Sequence, residues 1–235
     1  MRLSVVFVKF GLPDMELDAL AQLVRATRAR DWTLRVVDNW GNPETLTALW
    51  DRVLREEARA GADIAVLLNS DCWVATGWDR AIVQAFDSDP QIAVVGPQSN
   101  TGPTTAPAEV RAPRLRENGW PEVVDVDRAG SRCHELFGTQ VRDAEVFGHC
   151  YAMRLDAFLA HEGLSPELRA GYTLYGSEQS LSRRFRASGL RTVCAMGAYC
   201  YHVGEASGRA AAKRGEVDLA AERARGRALY FGTPG

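Results

Sequence analysis

The sequence is nearly devoid of lysine, with only Lys9 and Lys213 among its 28 basic residues. It has no Cys-x-x-Cys, and its five cysteines, Cys72, Cys133, Cys150, Cys194 and Cys200, are odd in number and scattered. A zinc ribbon and a thioredoxin-type redox pair are thereby excluded, and free thiols in a reducing compartment are expected. No apolar run approaches the ~20 residues of a membrane span. The apolar start at residues 3–8 is cut off by Lys9 and is too brief for a signal-peptide core. A cytoplasmic protein is the expectation. An excess of one charge is missing too. With 28 basic against 30 acidic residues the net charge is −2, so nucleic acid is not an expected partner. No Gly-x-Gly-x-x-Gly follows the first apolar run and no Walker lysine motif occurs, which removes the dinucleotide-fold and P-loop readings.

What is present is an ordinary globular composition over 235 residues, 46% hydrophobic and 25% charged, enough for one large domain. Through residue 96 short apolar runs alternate with helical patterns. Residues 3–8, 33–37, 64–68 and 92–95 read as strands rich in β-branched residues. Between them, Pro13 opens a helix with Leu17, Leu20 and Val24 on one face. Asn42-Pro43 opens a second that carries Leu49, Trp50, Val53 and Leu54. Thr76 and Asp79 form a capping-box pattern for a third, with Trp78, Ile82 and Phe86. Strands apolar on both sides belong in a mainly parallel sheet covered by helices on both faces, an α/β fold. Such a sheet binds ligands beyond the carboxyl ends of its strands.

Five of the ten prolines fall between residues 97 and 121, which reads as an irregular excursion. Order resumes at 146–153, then in a short helix at 155–160 and a helix at 178–188 capped by Ser177. Two short strands are expected at 192–194 and 198–202, and a charged helix at 215–230. The chain divides into a domain at 1–207 and a charged tail at 208–235. Within the domain the pattern divides into an alternating stretch at 1–96, an irregular region at 97–143 and a second ordered stretch at 144–207.

Several residues sit where chemistry is expected. Asp71, after Asn69-Ser70 at the end of the third strand, can hold Mg²⁺ or Mn²⁺ beside phosphate oxygens, or simply open a turn. Asp38 can accept from a nucleobase or ribose, or close an Asx turn. Lys9 can reach a diphosphate or stay solvated. Trp40 and Trp73 can stack on a base or sugar, or serve packing. Glu178 lies in the first turn of its helix, where the macrodipole favours an ionised carboxylate able to accept a hydroxyl proton. The alternative is helix-start electrostatics alone. His202 can ligate a metal as a neutral imidazole or sit satisfied in the core. His134, His149 and His161 have no ligand spacing and read as structural.

Six segments, in order, resemble the family 2 glycosyltransferases of the GT-A fold. Val36-Val37-Asp38-Asn39 is similar to the nucleotide-binding turn, and Leu67-Leu68-Asn69-Ser70-Asp71 with Gly77-Trp78 to the Asp-x-Asp-type metal motif. Gly96-Pro97-Gln98-Ser99-Asn100 resembles the segment after the fourth strand. Residues 148–154, from Gly148 to Arg154, resemble the donor-sugar strand. Tyr175-Gly176-Ser177-Glu178 resembles the paired-acid segment, and Tyr199–Gly204 the late histidine motif. Asn69 stands where many members carry the first aspartate, and Ser177-Glu178 retains one acid of the pair. Every tryptophan lies at or before Trp120, so the Gln-x-x-Arg-Trp of processive synthases is absent.

The resemblance implies an inverting, metal-dependent transfer of a single sugar from a nucleoside-diphosphate donor to an acceptor hydroxyl. Glu178 would be the base, and Asp71 and His202 the ligands of Mn²⁺ or Mg²⁺. Lys9, Asp38, Asn69, Ser70, Asp71 and Gly148 would bind the donor, with 1–96 the Rossmann-like nucleotide-binding half and 144–207 the acceptor and catalytic half. Two other readings stand beside it: a catalytically degenerate sugar-nucleotide-binding module, motivated by Asn69 and Ser177, and a nucleotidyltransferase. The tail's Arg209, Lys213, Arg214, Arg223, Arg225 and Arg227 can face an anionic membrane surface or a phosphorylated acceptor. Interleaved Glu216, Asp218 and Glu222 point instead to a solvated helix.

Overall fold

The computed structural model describes residues 1–40, 44–164, 176–215 and 217–231, with side chains left aside at 207 and 226–231. The first half runs β1 (Leu3–Lys9), α1 (Pro13–Ala26), β2 (Trp32–Asp38), α2 (Leu46–Arg59), β3 (Ile64–Asn69), β4 (Cys72–Val74), α3 (Trp78–Ser88) and β5 (Ile92–Ser99). There follow α4 (Val123–Phe137), β6 (Val141–Asp143), β7 (Cys150–Arg154), α5 (Leu155–Ala160) and α6 (Ser177–Ala187). Last come β8 (Arg191–His202), α7 (Ala206–Lys213) and α8 (Leu219–Phe231).

One sheet in the order β2-β1-β3-β7-β5-β8-β4, with β6 also on β8, organises the molecule. The pairings make β2, β1, β3, β5 and β8 run one way; β7, β4 and β6 oppose them. Strand periodicity sends alternate residues to opposite faces. Leu3, Val5 and Phe7 of β1 join Ile64, Val66 and Leu68 of β3 against α1, α3 and α4. Val6, Val8, Ala65 and Leu67 point the other way, against α2, α5 and α6. Helices therefore cover both faces, as the continuous apolar runs require. Each fully buried aliphatic side chain contributes about 1.5–3 kcal/mol of transfer free energy.

Several local expectations are corrected. Helix α2 starts at Leu46, where Thr45 Oγ1 accepts the Ala48 N–H at 3.1 Å. Asn42 and Pro43 lie outside the described residues. Helix α1 buries Met15, Ala19, Leu23 and Ala26, whereas Leu17 and Val24 are exposed, because the sheet lies against the neighbouring stripe. Helix α3 starts from Gly77 in the left-handed region (φ 80°) rather than from a capping box. Thr76 donates instead to Asp127 at 2.9 Å, and buried Asp79 accepts the Arg28 and Ala29 N–H groups. Strand β5 continues through Pro97 to Ser99, and the stretch read as irregular contains α4 and β6. The two short strands near the end are one, β8, with a register shift opposite Pro97/Gln98. The tail forms two helices, and the 207/208 boundary falls inside α7. No helix among the described residues is long and apolar enough to cross a membrane.

Candidate active site

The carboxyl end of β3 turns through Ser70 and Asp71 into β4, which pairs antiparallel with β8 so that Cys72 faces His202. The ladder continues one step, Val203 N–H donating to the Asp71 carbonyl at 3.1 Å. Two residues 131 positions apart in sequence are thus locked side by side. Asp71 Oδ1 lies 3.2 Å from His202 Nε2, and Oδ2 accepts the Ala206 N–H at 3.3 Å. Asp71 is buried. Burial pushes its carboxyl up, but His202, the Ala206 N–H and His149 outweigh it and hold the group below the usual carboxylate range.

His149 stacks on His202, with ring centroids 4.6 Å apart and planes 12° from parallel. Burial, with His202 beside it, drives the His149 pKa down to about 3, so the ring is neutral at physiological pH. Nδ1 of His202, Nε2 of His149 and Oγ of Ser70 are buried without a hydrogen-bond partner among the described residues, while Nε2 of His202 faces the Asp71 carboxylate. Buried polar atoms are ordinarily satisfied, and such a cluster beside an ionised carboxylate fits a cation and its ligands. Asp71, Cys72 and His202 each offer a donor atom, all within 4.8 Å of one another. Burial pushes the Cys72 thiol up to about 12, and its Sγ lies 3.2 Å from the His149 carbonyl.

Glu178 enters from the other side, on the first turn of α6. Gly176 adopts the left-handed region (φ 99°) that lets the chain swing into this helix, so Ser177 is its first residue and not its cap. Glu178 Oε1 accepts the Gly148 N–H at 3.2 Å, and Ser177 Oγ donates to Oε2 at 3.1 Å. The helix start does not decide its charge. Burial pushes the Glu178 carboxyl above its ordinary value and outweighs the N–H and hydroxyl donors around it. Gly148 is the floor beneath it, since a Cβ there would lie 2.6 Å from Oε1.

A cavity of about 610 Å³ is lined by Asn69, Ser70, Asp71, Gly148, Glu178 and His202 together. Lys9 and Asp38 are absent from that lining, although their neighbours Val8 and Phe10 belong to it. They pair with each other at the rim, 3.2 Å apart, and Lys9 also stands 3.9 Å from Glu16. The Trp40 N–H, then Lys9, lower the Asp38 pKa. Trp40 lies across Gly11 with the Arg214 guanidinium 4.0 Å above its ring, while Trp73 is buried and donates to Asp18 at 2.7 Å.

Sequence reasoning missed His149, Phe147, Gln179 and Arg209 as wall residues. The Gly148-His149 pair within the donor-strand segment was the available signal for the first. In the tail Arg223 pairs with Glu205 and Arg225 with buried Glu222. Tyr175 and Glu216 lie outside the described residues, and the side chain of Arg227 is left aside.

No protein-family model and no curated protein matches the sequence. The architecture does match solved structures. One is GalNAc-T7 with UDP, GalNAc and Mn²⁺: TM-score 0.58, 13% identity, 86% of this chain and 44% of that one. Another is the mannosyltransferase PcManGT from Pyrobaculum calidifontis with GDP-Man and Mn²⁺: TM-score 0.55, 14% identity, 98% of this chain and 63% of that one. The fold is that of the GT-A glycosyltransferases. This chain spans less than two thirds of the length of either structure.

Proposed function

We propose that the chain is a metal-dependent glycosyltransferase moving one sugar from a nucleoside-diphosphate donor to an acceptor hydroxyl, with inversion at the anomeric carbon. The observation that carries this reading is the convergence of Asp71, His202 and Glu178 on one cavity, where Ser70 Oγ, His149 Nε2 and His202 Nδ1 have no partner among the described residues. Asp71 and His202 would hold Mn²⁺ or Mg²⁺. The ion supplies charge neutralisation for the departing diphosphate. Asn69 and Ser70 border the same wall and would contact the donor, with Gly148 giving it close backbone approach. Lys9 and Asp38, paired at the rim, would meet the nucleoside end.

Glu178 takes the acceptor's proton onto a carboxylate oxygen as the hydroxyl oxygen attacks. A base works best with a pKa near the operating pH, and burial moves this one in that direction. The Gly148 N–H and Ser177 hydroxyl fix the orientation of the carboxylate. Incubation with a panel of nucleotide sugars, with and without Mn²⁺, tests the reading through release of free nucleoside diphosphate. Metal-dependent binding without any release would favour the non-catalytic module instead.

A further inference from the structure

The proposed centre contains an atom that hard-cation chemistry does not use. Cys72 Sγ lies 4.0 Å from Asp71 Oδ1 and belongs to the same donor group as His202, all within 4.8 Å. Two donors sharing a tetrahedral ion at bond lengths of about 2.0–2.3 Å stand roughly 3.3–3.8 Å apart. The three side chains therefore need only small adjustments to close on one ion. The independent sign that something binds here is the Nε2 of His149, a residue 5% exposed, which has no partner among the described residues, together with Nδ1 of His202.

We infer that Asp71, Cys72 and His202 form a thiolate-containing trap for soft divalent cations, Zn²⁺ or Cd²⁺, that competes with the hard cation of transfer. The inference rests on the proposed function in placing the working ion between Asp71 and His202. Mn²⁺ and Mg²⁺ prefer oxygen donors and leave coordination positions to phosphate and water. A soft cation gains a sulfur bond that they do not seek. On its binding the metal–sulfur bond forms as the thiol proton passes to solvent. Cys72 lies in the apolar core outside the cavity lining, so its sulfur draws the ion away from where the diphosphate would meet it, and the ion that binds more tightly is the one that halts donor binding.

Cadmium is the probe, because its thiolate bond gives an ultraviolet charge-transfer band. Titrated into the full chain, Cd²⁺ should raise that band to a plateau at one ion per chain. Zn²⁺ should abolish it and an equal concentration of Mn²⁺ should not. The band should disappear in Cys72→Ser and in Cys72→Ala, the latter keeping the apolar packing should the hydroxyl disturb folding. It should persist in Cys133→Ser. No band in the wild-type chain, or an undiminished band in both Cys72 variants, overturns the trap. Calorimetry of Mn²⁺-dependent binding of a nucleoside diphosphate on the same samples separates the two ideas. Binding without a cadmium band removes the trap and leaves the transferase. A cadmium band without that binding leaves the thiolate centre and removes the transferase.

Discussion

Asn100 clamps the backbone of His202 with its whole amide. Its Nδ2 donates to the His202 carbonyl at 2.9 Å, and its Oδ1 accepts the His202 N–H at 2.7 Å. The late histidine is thus held by the loop after β5 as well as by β4, and its imidazole is aimed by a residue that offers no ligand itself. Partners of this kind outside the ligand set usually change metal affinity by about 10–100-fold.

Asn100→Ala should therefore weaken Mn²⁺ binding by about 10–100-fold, by loosening the backbone that aims the His202 ring. Two lost hydrogen bonds should also lower stability by about 1–3 kcal/mol. Paramagnetic resonance of free against bound Mn²⁺, beside a denaturant melt, measures both. Unchanged affinity would dissociate the clamp from the centre.

Asp71→Asn removes the one carboxylate of the proposed donor set but keeps its size and its acceptor for the Ala206 N–H. The variant should fold and lose most metal-dependent affinity for nucleoside diphosphate. Calorimetry with and without Mn²⁺ reads this directly. Equal metal-dependent enthalpies in variant and wild type would take Asp71 out of the site.

Glu178→Gln should bind donor nearly as well as wild type and transfer sugar about 10²–10⁴ times more slowly, since the amide cannot accept the hydroxyl proton. Single-turnover rates at saturating donor give the ratio. The pH dependence has a definite sign. Because burial raises the Glu178 pKa, the acid limb of the rate profile should lie above the usual carboxylate range. The folded state also holds this proton more readily than the unfolded chain. Its stabilising contribution is complete below the ordinary glutamate value and fades as pH rises through the folded value. In Glu178→Gln that slope in stability should vanish, and a melt series over pH checks it.

Gly148→Ala pushes a methyl group to within 2.6 Å of Glu178 Oε1. The carboxylate must move, and a displacement near 1 Å typically costs about 10²-fold in rate. Donor affinity should fall as well, because the methyl also takes the space of the close backbone approach at Gly148. A variant with wild-type turnover would show that the carboxylate position is not critical.

The alternation of residues 3–68 announced β1, β2, β3 and the helices between them, because uninterrupted apolar runs have few other destinations. Asp71, Glu178 and His202 were legible as residues that end or begin an element. Strand β4 was not, since Cys72–Val74 is three residues long and exists only through its pairing with β8. The exposed stripe of Leu17 and Val24 misled, because helical spacing does not say which of two apolar stripes meets the sheet. His149 carries no ligand spacing, and its stacking on His202 is made by tertiary structure. The charge tendency of Glu178 was misread for the same reason: the helix start is local and visible in sequence, whereas burial beneath Gly148 is neither.

Asp71 and His202 hold their separation through a backbone ladder, Cys72 opposite His202 and Val203 bonded to Asp71. That ladder is a short, stiff ruler. Asn100 reaches that ladder from the segment between β5 and α4, and the rest of that segment attaches elsewhere. Insertions and substitutions there change what reaches the cavity without rescaling the gap between the two side chains. Under the proposed function, acceptor choice can therefore drift in evolution while the distance between Asp71 and His202 stays constant. Conversely, a single change that shifts the register of β4 by one residue would turn Asp71 to the opposite face of the sheet.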